Sequence, residues 1–186
     1  LGEIYYKGIK VPRNFNKAKK YFEKAHKIRN PRASFQLGLM NYYGHSYPQN
    51  YAQAKFYFES SVNLDEMNSY FYLAKIYEEG KGIEINLNKA IEYYIYCTKK
   101  KIKSVSIKYN EGWTKMKIEN NYYYYSHNNL GLIYIVKLNN NELGEKYLKE
   151  SCFNEFPLGQ NNYGLYNQFY LKNINDALYF FGKSAK

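Results

Sequence analysis

The residues of this chain best suited to nucleophilic, acid–base or metal chemistry are three histidines and two cysteines, and their spacing argues against each use. His26, His45 and His127 fall in three different segments, and no pair has the helical spacing that places two imidazoles on one cation. Each reads as a surface or half-buried polar residue. Cys97 and Cys152 are too few for a disulfide framework and show no metal-ligand spacing. Cys97 occupies a small-residue slot of an apolar helical pattern, where a thiol is buried and inert. Cys152 has no basic residue beside it to favour the thiolate. Gly80-Lys81-Gly82 lacks the preceding strand and the full glycine set of a phosphate-cradling loop, so it reads as a turn. Carboxylates are scattered without pairing. The expectation is a protein without catalytic residues, metal or cofactor.

Anion chemistry has a better candidate. Between Lys99 and Lys117 stand seven lysines, one acid (Glu111) and the only tryptophan, Trp113. Interleaved cations and aromatics suit phosphates or stacked bases, which makes Lys99, Lys100, Lys101, Lys103, Lys115 and Lys117 candidate anion ligands. The competing and preferred reading is two helices with lengthened, solvated ends, broken near Asn110-Glu111-Gly112. The formal charge of +11, from 27 Lys+Arg against 16 Asp+Glu, does not decide the matter. Lysine, tyrosine and asparagine are enriched in every segment alike, whereas a functional footprint is clustered.

The 186 residues suit one compact array, and a 20% aromatic content supplies the mass that disordered chains lack. No apolar run approaches the roughly 18–20 residues of a spanning helix. No secretory signal is legible. The chain opens at Leu1, inside a repeat unit, which points to a fragment cut from a longer protein at both ends. None of the 23 asparagines lies in an Asn-x-Ser/Thr acceptor site. The expected compartment is the cytoplasm, with the endoplasmic-reticulum lumen as the alternative.

Periodicity organises everything else. Leu1-Gly2, Leu37-Gly38 and Leu73-Ala74 recur at steps of 36, as do Gly8, Gly44 and Gly80, and Ala18, Ala54 and Ala90. Leu130-Gly131 arrives 57 residues after Leu73, so about 21 extra residues intervene, and the following step shortens to 33. The last two units have lost three loop residues and the loop glycine. Five units result: about 1–30, 31–66, 67–100, 122–154 and 155–186, with 101–121 as a basic insertion that lengthens helices between the third and fourth.

Each unit reads as helix, loop, helix. Ala33, Leu37 and Met40 share one face of a first helix. Glycine after the leucine costs about 1 kcal/mol in a helix relative to alanine, so its recurrence needs a packing reason. That reason is close approach of the aromatic that follows the small residue of the second helix, as in Ala54 to Phe58. Gly8, Gly44 and Gly80 suit left-handed helix ends. Asn14, Asn50 and Asn86 suit the caps of the second helices.

The pattern A-x-x-x-L-G-x-x-Y-x-x-G…K-A-x-x-[YF]-[FY] resembles the Sel1-like repeat, a relative of the tetratricopeptide repeat. Residues 31–66 carry it through Ala33, Leu37-Gly38, Gly44, Ala54 and Tyr57-Phe58, and 67–100 through Leu73, Tyr77, Gly80 and Lys89-Ala90. Departures are Asn41 and Asn167 in place of tyrosine, and Gly144 in place of alanine. The resemblance implies an all-α fold, a right-handed α–α superhelix (solenoid) of about five helix-turn-helix repeats, acting as a scaffold for protein or peptide partners and performing no chemistry.

In the tetratricopeptide relatives the first helices line the concave side. That geometry carries over to Arg32, Phe35, Leu39 and Tyr42 in the second unit and to Asn68, Phe71, Lys75 and Glu78 in the third. In the fourth and fifth it carries over to Tyr125, Asn128, Leu132 and Ile135, then Leu158, Asn161, Leu165 and Gln168. Phe35, Tyr42 and Phe71 are of the type that anchors peptides. Asn128 and Asn161 have the donors and acceptors to hold an extended backbone. The reading is a non-enzymatic adaptor. Its rivals are a basic RNA- or phosphate-binding module using 99–117, and a regulatory array joined to an enzyme domain such as a kinase.

Overall fold

The computed structural model describes residues 1–46, 48–63, 66, 68–99, 105–109, 112–116, 121–152 and 156–185. Ten α-helices are present among them. They are α1 (Gly2–Lys7), α2 (Phe15–Lys27), α3 (Pro31–Tyr43), α4 (Tyr51–Val62), α5 (Asn68–Glu79), α6 (Leu87–Thr98), α7 (Asn121–Leu132), α8 (Asn141–Ser151), α9 (Pro157–Tyr166) and α10 (Ile174–Ser184). Two compact parts result, Leu1–Tyr93 and Tyr94–Lys186.

Each hairpin is closed by the same hydrogen bond although the loops differ in length. In the first three, helices end on left-handed Gly8, Gly44 and Gly80, with φ of 73°, 75° and 66°. The cap asparagine then donates its backbone N–H to a first-helix carbonyl nine residues earlier: Asn14 to Tyr5 at 2.8 Å, Asn50 to Asn41 at 3.0 Å, Asn86 to Tyr77 at 2.9 Å. Where the loop glycine is missing, α7 and α9 run on into π-helical turns at Ile133–Lys137 and Asn167–Leu171. Asn139 and Lys172 then take the left-handed conformation. The closing bond is now drawn across six residues, Asn140 to Tyr134 at 2.7 Å and Asn173 to Asn167 at 2.9 Å. The widened turn absorbs the deletion. Each closing asparagine also caps the second helix, its Oδ1 accepting from the N–H three residues on, as Asn50 does from Gln53 at 2.9 Å.

Packing within hairpins rests on bare backbone. A Cβ on Gly2 would lie 2.6 Å from the Phe22 ring, one on Gly131 2.6 Å from Leu148, and one on Gly164 2.7 Å from Phe181. Packing between hairpins uses small residues. The hydroxyls of Ser61 and Ser69 meet in the interior, and the Ser151 carbonyl lies against Gly159. In the first part Ala18, Phe22, Ala33, Leu37 and Met40 form one core; in the second, Ile135, Leu148, Tyr163 and Tyr166 form another.

The described part of the insertion, 105–109 and 112–116, is strand rather than helix. α6 ends at Thr98, and β1 (Val105–Tyr109) pairs antiparallel with β2 (Gly112–Met116), Lys108 opposite Trp113. Val105, Ile107 and Tyr109 alternate with Ser106 and Lys108, a period of two that suits a ribbon and defeats a helical stripe.

Candidate protein-interaction face

The aromatic side chains expected to anchor a peptide are interior. Phe35, Tyr42 and Phe71 are only 6%, 4% and 7% exposed, and Leu39 is buried with them. What covers them is Tyr72, whose ring centre lies 5.9 Å from that of Phe35, 5.3 Å from Tyr42, 5.5 Å from Phe71 and 5.1 Å from Phe58. Tyr72 precedes Leu73 in the position that Gln36, Asn129 and Asn162 hold elsewhere, and only its size marked it out in the sequence. The large aromatics therefore fill the space between helices, where rings bury most area.

Tyr42 also closes a polar knot. Its hydroxyl accepts a hydrogen bond from Lys81 Nζ at 2.9 Å, and the same ammonium lies 2.6 Å from Glu79 Oε2 and 4.8 Å above the Tyr42 ring. Burial raises the Tyr42 phenol, and the Lys81 hydrogen bond opposes it. For Lys81, burial alone would lower the ammonium, but the hydrogen bonds with Glu79 and Tyr42 outweigh it and raise it. Gly80-Lys81-Gly82 is thus a turn whose lysine is fixed on α3.

Asn128 is likewise taken up. It is buried, with Oδ1 accepting from Asn162 Nδ2 at 2.7 Å, and so ties α7 to α9 rather than facing a ligand. Of the other expected positions, Arg32 is exposed and pairs with Glu3 at 3.4 Å. Asn68, Lys75 and Glu78 are half-buried, with Lys75 3.5 Å from Glu79. Tyr125 is covered by Phe156 at 4.8 Å between ring centres, and Ile135 is core.

The exposed apolar members of the expected set lie on the last two first helices. Leu132 on α7 and Leu158 and Leu165 on α9 are 37%, 42% and 38% exposed. Asn161, also exposed, sits between the two leucines on the same stripe of α9. Gln168 is exposed beyond them.

The histidines and cysteines have structural partners. His26 Nδ1 lies 2.8 Å from Ser34 Oγ and His45 Nδ1 3.0 Å from the Tyr6 hydroxyl. His127 is buried rather than at the surface, and its Nδ1 lies 2.8 Å from the Tyr123 carbonyl. Burial pushes the Cys97 thiol up to about 12, against a hydrogen bond with Ser126, and burial likewise takes Cys152 to about 12. No cluster of His, Cys, Asp or Glu that would hold a metal occurs among the described residues. No helix among them is long and apolar enough to cross a membrane. Of the candidate anion ligands, Lys99 is exposed with its ammonium 4.3 Å from the centre of the Tyr96 ring, and Lys115 lies on β2. Lys100, Lys101, Lys103 and Lys117 lie outside the described residues.

The Sel1 repeat matches residues 1–25, 31–66, 68–96 and 157–186. The chain belongs to the Sel1 repeat family. No curated protein matches its sequence. Among solved structures it is similar to a Sel1 repeat protein from Oxalobacter formigenes at 18% identity and a TM-score of 0.75, covering 99% of this chain and 67% of that one. It is also similar to c5321, a protective antigen of uropathogenic Escherichia coli strains displaying an SLR fold, at 20% identity and a TM-score of 0.55 over 99% of this chain and 44% of that one. A third is the immunity protein Pa5087 from Pseudomonas aeruginosa, at 14% identity and a TM-score of 0.57 over 98% and 64%. The chain therefore spans less than two thirds of the last two relatives. These likenesses give the fold: an all-α Sel1-type helical repeat. Sel1 repeats generally serve as scaffolds that bind proteins. Residues 97–156 are not matched, and there the Sel1 pattern has lost its loop glycine and carries Gly144 for alanine.

Proposed function

We propose that this chain is a non-enzymatic scaffold that docks a protein partner through the open face of α7 and α9. The observation that carries the reading is the stripe of Leu158, Asn161 and Leu165, joined by Leu132. It offers apolar area together with an amide able to bond a partner's backbone, on helices whose positions are set by their own hairpins. Burial of Phe35, Tyr42 and Phe71 favours these leucines over the aromatics among the concave positions.

The test is proximity labelling in the source cells with three forms of the chain. The double substitution Leu158→Ser and Leu165→Ser removes the apolar area from exposed sites. Lys146→Gln, on the exposed side of α8, is the control. Partners depleted about tenfold by the leucine variant and kept by the control are the expected result. Equal recovery by all three forms overturns the reading.

A further inference from the structure

A second surface stands out once the five second helices are laid in register. On α2, Lys17, Lys20, Lys24 and Lys27 form a single stripe at spacings of three and four. The corresponding positions carry Gln53, Phe56 and Ser60 on α4 and Asn63 just past its end, and α6 interrupts its lysines with Glu92 and Tyr96. On α8 the first three are Leu143, Lys146 and Glu150, and on α10 Asp176, Tyr179 and Lys183. A lysine-rich composition spread evenly would load every helix alike. Here one edge of one helix is singled out, which is the clustering that marks a functional footprint.

The stripe borders a cleft of about 760 Å³ lined by these four lysines with Tyr5, Tyr21 and Tyr57. The charge is one-sided, since Glu23 is the only carboxylate of the lining. Among the described residues, none of the four lysines is paired with a carboxylate. The aromatic groups of the lining are engaged with one another. Tyr5 stacks on Tyr21 with centroids 5.7 Å apart and planes within 4°, and Lys17 Nζ lies 5.2 Å from the Tyr5 ring centre. Tyr57 meets His26 edge-on at 5.2 Å.

We propose that this cleft holds an extended, acidic peptide segment of a partner protein. From Lys17 to Lys27 the helix rises about 15 Å. An extended chain covers that distance in about five residues, so the carboxylates on one side of it fall along the lysine stripe. Lysine ammonium groups serve single carboxylates as point charges. Bases of a single strand would need open ring faces to stack on. In this cleft Tyr5 and Tyr21 stack on each other and Lys17 lies over the Tyr5 ring, which leaves fewer open ring faces and favours the peptide over a nucleic acid. The cleft shares no residue with the leucine stripe of α7 and α9, so its test is independent of that reading.

The experiment uses the whole 186-residue chain and fluorescence anisotropy. The probes are a labelled heptapeptide of Glu and Asp around a central Tyr, its Gln/Asn counterpart, and an oligouridine of similar charge. The acidic peptide is expected to bind, its amide counterpart to bind at least about tenfold more weakly, and raised salt to weaken the complex. Lys20→Gln with Lys24→Gln is expected to weaken binding about tenfold, while Lys146→Gln leaves it unchanged. Circular dichroism checks that the variants keep their helices. The proposal is overturned if the acidic peptide does not bind, if the α2 variant binds like the wild type, or if Lys146→Gln is equally damaging. Tighter binding of oligouridine that is lost in the α2 variant also overturns it and makes the cleft a nucleic-acid site.

Discussion

The Phe58 ring packs directly against the bare Cα of Gly38, so that a Cβ built there would come within 2.5 Å of two ring carbons. Phe58 is completely buried and its ring also stacks on Tyr72, so it has nowhere to retreat. Gly38→Ala is therefore expected to destabilise the chain by about 1–3 kcal/mol, the usual cost of overpacking, despite the roughly 1 kcal/mol by which alanine favours a helix. Gly182 in α10 has nothing within 4 Å of the same built atom. There Gly182→Ala is expected to stabilise by about 0.5–1 kcal/mol. Thermal unfolding of the two variants should shift in opposite directions, by a few degrees per kcal/mol. Shifts of the same sign would remove close approach as the explanation of the repeated glycine.

Phe35 and Phe71 act in the core rather than on a docking surface. Each alanine substitution is expected to cost about 3–5 kcal/mol and to lower the urea midpoint. Leu165→Ser, at an exposed site, should stay within about 0.5 kcal/mol of the wild type. Loss of partner binding in Phe35→Ala with an unchanged midpoint would contradict the burial.

The helical hairpins, the glycine contacts and the loop ends were legible because each is a local event repeated at a fixed step. Gly38 and Phe58 announce their contact through Gly2 and Phe22, the same pair one unit earlier. The expected concave positions could be written down from the repeat, but their exposure could not. Whether Phe35 is open depends on Tyr72, a residue from the next repeat at a position where the other units carry Gln36, Asn129 and Asn162. Asn128 was misread for the same reason, since its partner Asn162 lies 34 residues on. The insertion was taken for helix because lysine is compatible with either structure. The alternation of Val105, Ile107 and Tyr109 was the better signal.

The hairpin closures predict equal dependence on asparagine in long and short loops. Asn50 accepts from Gln53 N–H at 2.9 Å and Asn140 from Leu143 N–H at 3.1 Å. Asn50→Ala and Asn140→Ala are each expected to cost about 1 kcal/mol, with Asn→Asp tolerated at both because a carboxylate also caps and favours the helix N-terminus. Denaturant unfolding of the four variants checks this. A silent Asn140→Ala beside a costly Asn50→Ala would mean that the side-chain cap contributes nothing to α8.

The two thiols link stability to alkaline pH. Burial holds Cys97 and Cys152 up to about 12 in the folded chain, against an ordinary value of 9.0. Below pH 9 the thiols are neutral in the folded and unfolded states alike, and their buried form carries no penalty. Above it the unfolded chain loses protons that the folded chain keeps, so stability falls as pH rises from about 9 toward 12. The Cys97→Ser and Cys152→Ser variants remove these ionisations, and a double variant should show a shallower loss of urea midpoint between pH 9 and pH 10.5 than the wild type does. Native-state labelling with a thiol reagent at about pH 8 should likewise run far below the rate seen in urea, since the thiolate is the reactive form. Labelling of the folded chain as fast as the unfolded would show that these sulfurs are open to solvent, and the pH dependence argued from their burial would fail with it.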